Sequence, residues 1–486
     1  MQGYREAQPK GLSLLFFTEL WERFGFYTLQ TILVLYMSKV LDYSDNQAYL
    51  IYGIFSAMLY LTPVFGGYLA DRWIGFRQSV YFGGFLFILG YLLLVIPGVN
   101  WFFSGLSLIM IANGLFKPSV SSLVGELYNA DDTRRERGFT IFYMGINVGS
   151  MLPPLMTGAI VLAYGWHVGF LLAAIGIVIG MIIFLVGRHS LGSKGGIPVE
   201  SVLHQGFYKK WVFYLILTIG LLCLIPLFNV FLMHPKQSNW LLGCVSIGVI
   251  AMVLYHLRKE HFEQRRKLLA CLILTFISIG FWAIAVQMYT SAMFFADRNM
   301  SKEFLGFTIN AQFTQFFNPF FIIVLSPFMS WMWFHLDRKK LNPTIPAKFA
   351  WGTLFMSIGY LLLGGCIRFM NIDGIVSPWW LVMTYFFQTV GELLISPIGL
   401  AMIAHLSPRH LVGMMMGVWF LSRSAAFAIG GGLATLADIV PSMSMEESLS
   451  VYSTAFFIFG IVSLTLAGMS AALVPYLKRL IMSRAQ

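Results

Sequence analysis

Charge is what this chain has least of. Of its 486 residues only 11% are Asp, Glu, Lys or Arg, against about 25% in an ordinary soluble domain. Hydrophobic residues make up 58%, more apolar surface than one globular core can hide, so a bilayer has to be the solvent for most of it. Cysteine is also sparse. Cys223, Cys244, Cys271 and Cys366 all fall in apolar runs without metal-ligand spacing, which leaves them as small packing residues. The nine histidines group with no Cys, Asp or Glu ligand set, so no metal site is expected, and no in-membrane nucleophile and base suggest an enzyme. A Gly-x-x-x-x-Gly-Lys-Ser/Thr segment is missing as well, which excludes ATP as the direct energy source. The opening residues are polar, and the first apolar run already contains Glu19, Glu22 and Arg23. A signal h-region would not tolerate those charges, so no cleavable leader is expected.

Long apolar runs are what the sequence has in abundance. Fourteen of them reach the roughly 20 residues that a bilayer crossing needs. Arg134, Arg135 and Arg137 share one connecting loop, and Arg265, Arg266 and Lys267 share another. Such basic clusters mark cytoplasmic loops and place both termini in the cytoplasm. The formal charge of +11 therefore reports topology and anionic headgroups, with no nucleic-acid partner implied. The runs group as six, two and six: an N-terminal bundle over 1–190, a linker over 191–267 with two extra spans (211–233 and 238–257), and a C-terminal bundle over 268–486. The extra pair carries no charge within its helices and reads as a lipid-facing hairpin that ties the halves together.

Six ionisable residues stand well inside these runs: Glu19, Glu22, Arg23, Lys117, Glu392 and Arg423. Unpaired, each costs roughly 2.5–3.5 kcal/mol at a helix centre, on the order of 15–21 kcal/mol together. Three acids and three bases balance, which suggests pairing across a water-filled cavity. In the first run Glu19, Glu22, Arg23, Phe26, Tyr27 and Gln30 recur at three- and four-residue steps, so one helix face covering an arc of roughly 140° is polar. A purely structural ion pair on that helix would leave one acid without a partner. Pro118, Pro153, Pro154, Pro319 and Pro397 interrupt other runs. Each frees a carbonyl one turn earlier, which is tolerated only against protein or a cavity.

Several segments in order carry a family resemblance. Gly67 to Arg72 (Gly-Tyr-Leu-Ala-Asp-Arg) resembles the major facilitator signature, and His335 to Lys340 (His-Leu-Asp-Arg-Lys-Lys) is a fainter echo in the second half. Physically, Asp71 can cap the following helix and pair with an arginine, so that Gly67, Asp71 and Arg72 form a conformational latch. Glu19 to Tyr27 (Glu-Leu-Trp-Glu-Arg-Phe-Gly-Phe-Tyr), Gly114 to Ser121, Phe142 to Gly149, Phe281 to Ala283, Asn318-Pro319, Gly391 to Gly399 and Trp419 to Ser422 resemble motifs of the proton-coupled oligopeptide transporter family, bacterial type. The resemblance covers nearly the whole chain. It implies an all-α major facilitator fold of two six-helix bundles with an inserted two-helix hairpin, in a bacterial inner membrane. It also implies symport of protons with short peptides or peptide-like compounds by alternating access, with the proton gradient in place of a cofactor.

On matching positions the resemblance assigns proton coupling to Glu19, Glu22, Arg23 and Lys117. Substrate contacts fall to Tyr27, Gln30, Tyr60, Lys117, Asn147, Trp282, Gln287, Asn318, Glu392, Trp419 and Arg423. Glu392 would hold the ammonium end of a peptide and Lys117 its carboxylate. Three positions depart from the family pattern: Gln30 stands where an arginine is usual, Val286 where a glutamate is usual, and Arg423 where a small or hydroxylated residue is usual. Arg423 either restores the missing cation or neutralises Glu392 from the neighbouring helix. Two other readings are a related carrier whose altered pocket takes a non-peptide, anionic substrate, and a receptor that binds without translocating.

Overall fold

The apolar runs fold as helices because, in lipid, every backbone N–H and C=O has to find its partner within the segment. The computed structural model describes residues 7–129, 132, 134–198, 207–369, 374–408, 411–440 and 442–481. In chain order the helices are α1 (Lys10–Lys39), α2 (Asp45–Leu69), α3 (Phe76–Val95), α4 (Val99–Glu126), α5 (Arg135–Tyr164), α6 (Trp166–Gly187), α7 (Phe207–Met233), α8 (Pro235–Lys259), α9 (Phe262–Ala285), α10 (Ser291–Arg298), α11 (Phe317–Arg338), α12 (Ile345–Phe369), α13 (Pro378–Leu406), α14 (Val412–Ala434) and α15 (Met445–Ile481). Among the described residues thirteen segments, α9 and α10 counting as one, are long and apolar enough to cross a membrane. The remaining long helix is α1, which carries Glu19, Glu22 and Arg23 in its interior. The fold is all-α, as the composition requires.

Two expected spans are interrupted. The run expected over 268–295 breaks at a 3-10 turn, Val286–Tyr289, between α9 and α10. The run expected over 303–334 opens instead with a small hairpin, β1 (Glu303–Phe304) against β2 (Phe307–Thr308). Its two turn residues, Leu305 (φ 53°) and Gly306 (φ 81°), adopt the left-handed backbone that a two-residue hairpin loop needs. A 3-10 segment, Ala311–Phe316, then leads into α11.

The chain divides into two compact units. The first holds Met1–Tyr36 and Met58–His234; the second holds Met37–Ala57 and Pro235–Gln486. The hairpin read from the sequence is thus shared out rather than forming a linker of its own. Within the first unit α7 is tied to α4, where Ser107 donates to Asn229 Oδ1 (2.7 Å) and Asn229 Nδ2 donates to Ser104 (3.2 Å). Within the second unit α8 packs against α14 and α9.

Packing inside each unit relies on small residues, which let backbones approach where lipid offers no hydrophobic driving force between helices. In the first unit Gly176 and Gly180 of α6 lie against Trp21 of α1, and Gly25 of α1 lies against the Ala173 carbonyl. In the second unit Gly352 of α12 meets Gly391 of α13. Ser357 donates to the Gly460 carbonyl and Ser453 to the Gly364 carbonyl, each at 2.8 Å. The second unit also takes in the start of α2, whose Gly53 packs on Gly431 of α14. There Asp45 is held by a bidentate ion pair with Arg298, supported by the Tyr452 hydroxyl.

Candidate functional site

In the first unit the polar face of α1 is buried rather than solvated: Glu19 and Glu22 are 1% exposed and Arg23 is 4% exposed. Arg23 grips Glu22 with two hydrogen bonds, Nε to Oε2 at 2.5 Å and Nη2 to Oε1 at 2.7 Å. The same Nε lies 3.4 Å from Glu19 Oε1, while the other Glu19 oxygen is buried with no hydrogen-bond partner among the described residues. The Phe26 ring covers the guanidinium at 4.8 Å. One guanidinium therefore faces two carboxylates. The further cation that acts on this cluster is Lys117 of α4. Lys117 forms no direct ion pair among the described residues; its ammonium stands 5.4 Å from the centre of the Tyr60 ring. Lys117, assigned to proton coupling with the α1 acids by the resemblance, thus acts on them by charge, without a direct ion pair among the described residues.

The surrounding motifs serve this cluster. Gly149 of α5 lies under the Leu20 carbonyl, and a Cβ added there would come within 3.0 Å of Arg23 Cβ. Gly149→Ala should therefore displace Arg23 and cost about 1–3 kcal/mol, as over-packing typically does. Thermal unfolding in detergent checks this, and an unchanged midpoint would show that α5 can slide away freely. Asn147, 6% exposed, donates its amide to the Tyr143 carbonyl of its own helix (2.9 Å). The Gly114 carbonyl freed by Pro118 is covered by Gly66 of α2, and Asn113 donates to the Leu59 carbonyl at 2.7 Å. That break in α4 is closed off by protein, and it sets Lys117 one residue before the kink. Tyr27 is half-buried and acts electrostatically on Arg23. Gln30 is buried on the same helix.

In the second unit Glu392 of α13 accepts a hydrogen bond from Asn318 Nδ2 (2.9 Å), which also reaches Thr389 Oγ1 (3.1 Å). Arg423 of α14 lies with its guanidinium 3.6 Å from the centre of the Trp282 ring and donates to Ser396 Oγ at 3.0 Å. Its charge acts on Glu392. The Trp282 indole N–H is buried without a partner among the described residues. Trp419, 2% exposed, fills the space beside Gly399. Gln287 is fully buried. Its amide nitrogen donates to the Ala283 and Gly430 carbonyls, and its oxygen accepts from Thr290 and Ser291. A side chain so engaged ties the α9–α10 break to α14. Val286, where the family has a glutamate, packs on Gly430 of the same helix.

Sequence reading missed Thr389 and Ser396. Thr389 stands three residues before Glu392, and Ser396 stands one residue before Pro397, so helical spacing could have flagged both.

The latch takes a different form from the one expected. Residues Ala70–Ile74 continue α2 as a π-helical turn, so Asp71 is exposed in the last turn of that helix. It does not cap α3, which opens at Gly75 (φ 80°) with no side-chain cap. Gly67 approaches Pro118, and Arg72 donates to the Tyr68 hydroxyl at 3.2 Å. Arg77, not Arg72, reaches another segment: its backbone N–H donates to the Gly195 carbonyl at 3.0 Å, and its side chain bonds the Gly192 carbonyl. The Gly195 N–H in turn donates to Glu126 at 2.6 Å.

Residues 77–450 match the POT family. Dipeptide and tripeptide permease B of Yersinia enterocolitica is 34% identical over 482 residues, 98% of this chain and 97% of that protein. Dipeptide and tripeptide permease A of Pectobacterium carotovorum is 34% identical over 478 residues, 97% and 92% of the two chains. Among solved structures, peptide transporter POT in complex with sulfate superposes with a TM-score of 0.85 at 34% identity, covering 99% of this chain and 98% of that one. A mutant of peptide transporter POT in complex with alafosfalin has the same score, identity and coverage. These likenesses extend over both units and carry the major facilitator architecture with them.

Proposed function

This chain is a member of the POT family, and from that membership we propose that it imports dipeptides, tripeptides or peptide-like compounds together with protons. The observation that carries the reading is the Glu392–Asn318 pair of the second unit. It is a carboxylate held in place by an amide, in a chain that matches dipeptide and tripeptide permeases from end to end. A peptide is a zwitterion, and a half-buried carboxylate with one fixed hydrogen bond keeps further acceptor positions for an ammonium group. The alternative of an anionic substrate leaned on Arg423 as an unclaimed cation. That guanidinium is instead claimed by Ser396 and the Trp282 face, beside the acid it neutralises.

Energy comes from the proton gradient, with no cofactor. The α1 cluster is the coupling element, because protonating either acid changes how Arg23 and Lys117 are balanced. Counterflow in proteoliposomes tests the whole reading. Dipeptide-loaded vesicles should take up labelled dipeptide, an inward proton gradient should drive net accumulation, and dipeptide binding without any exchange would leave a receptor.

The same reading places the protein in a bacterial inner membrane with its termini in the cytoplasm. Single cysteines introduced between Arg258 and Lys267, in a background lacking the native four, should resist an impermeant reagent applied from the periplasm. Efficient labelling there would invert the topology.

A further inference from the structure

In the second unit α8, α9 and α14 meet along an open crevice whose apolar walls include Val249, Ile250, Leu272 and Ile279. Three hydroxyls also line it, and each is spent on its own helix. Ser246 donates to the Leu242 carbonyl (2.8 Å), Thr275 to the Cys271 carbonyl (2.9 Å) and Ser422 to the Trp419 carbonyl (2.7 Å). Each of these hydroxyls has spent its one donor, so among the described residues the crevice is lined by apolar carbon and suits a hydrocarbon chain.

The same two helices, α8 and α9, meet at a strongly basic turn. Arg258 and Lys259 end α8, and Arg265, Arg266 and Lys267 open α9. Arg266 is committed to the Arg479 carbonyl and the Phe262 ring, and Lys259 lies over Tyr255. Arg258, Arg265 and Lys267 form no ion pair among the described residues. At 1.5 Å per residue, Leu272 lies about 10 Å along α9 from Arg265, and Ile250 about 12 Å along α8 from Arg258. Cations at the membrane surface and a hydrocarbon slot some 10 Å deeper match the two ends of one amphiphile.

We propose that an anionic phospholipid binds here, with its phosphate on Arg258, Arg265 and Lys267 and an acyl chain in the crevice. Ser422 and Ala425 line the crevice, one residue before and two residues after Arg423, so the lipid braces the helix that holds this arginine beside Glu392.

Native mass spectrometry on protein purified in micelles with equal phosphatidylglycerol and phosphatidylcholine tests the site. The wild-type chain should retain the anionic lipid about tenfold over the neutral one. The triple variant Arg258→Gln, Arg265→Gln, Lys267→Gln should lose that preference. Ser246→Trp and, separately, Val249→Trp should lose the bound lipid with all cations intact, while thermal unfolding reports that each is folded. No preference in the wild type would overturn the proposal. So would Trp variants that keep the lipid, since the cations alone would then act, or dimers that appear as lipid leaves, since a second copy would then be the occupant.

Discussion

Replacing either Glu19 or Glu22 with glutamine abolishes substrate accumulation driven by an inward proton gradient, while exchange without a gradient continues. Both acids lie on one buried guanidinium, and removing either leaves one carboxylate against one guanidinium, a balanced pair that resists protonation. The two variants part in stability. Glu22→Gln breaks the bidentate pair with Arg23 and leaves a buried cation with only the 3.4 Å approach to Glu19. Breaking a buried pair from one side costs about 3–5 kcal/mol. Glu19→Gln keeps that pair and removes the carboxylate whose second oxygen has no partner among the described residues, so its stability should stay near that of the wild type or rise. Uptake of labelled dipeptide with and without a gradient, beside thermal unfolding, separates these outcomes. Gradient-driven uptake that survives in both variants would place coupling elsewhere in the chain.

Most of the architecture could be read before the structure because the bilayer leaves few options. An apolar run of sufficient length has to be a helix, and three charges repeating at helical spacing in α1 have to share a face. What could not be read depends on partners distant in sequence. Val286 and Gln287 look like the continuation of an apolar helix; they form a turn because the Gly430 carbonyl is available to the Gln287 amide. The β1–β2 hairpin occupies only six residues, and the glycine that makes it possible, Gly306, sits among residues hydrophobic enough to pass for a helix start. Asp71 before Gly75 looked like a cap, yet the π-helical turn moves it one helix back. Proline at position 118 predicted a freed carbonyl that needs cover from protein or a cavity. The cover supplied by Gly66 is invisible until α2 and α4 are side by side.

Arg423→Ser should tighten binding of ligands with a free ammonium group and weaken ligands whose only charge is a carboxylate. In the folded chain the guanidinium is sandwiched between the Trp282 face and Ser396 and acts as a built-in counter-ion for Glu392. Removing it leaves the carboxylate with its Asn318 hydrogen bond and an uncompensated negative charge. At an effective dielectric of about 20, a unit charge at about 4 Å contact is worth about 4 kcal/mol, which is an upper bound here. Rearrangement and residual water reduce that figure, so a change in selectivity of about 10- to 100-fold is expected between ammonium-bearing and ammonium-blocked forms of one peptide. Thermal shift or calorimetry with a dipeptide and its N-acetyl derivative measures the ratio directly. Arg423→Lys keeps the charge but loses the planar stacking on Trp282, so it should retain the wild-type ratio with lower stability. An equal loss for both ligands in Arg423→Ser would make the arginine a packing residue. A gain confined to the acetylated peptide would mean that Glu392 does not read the ammonium end.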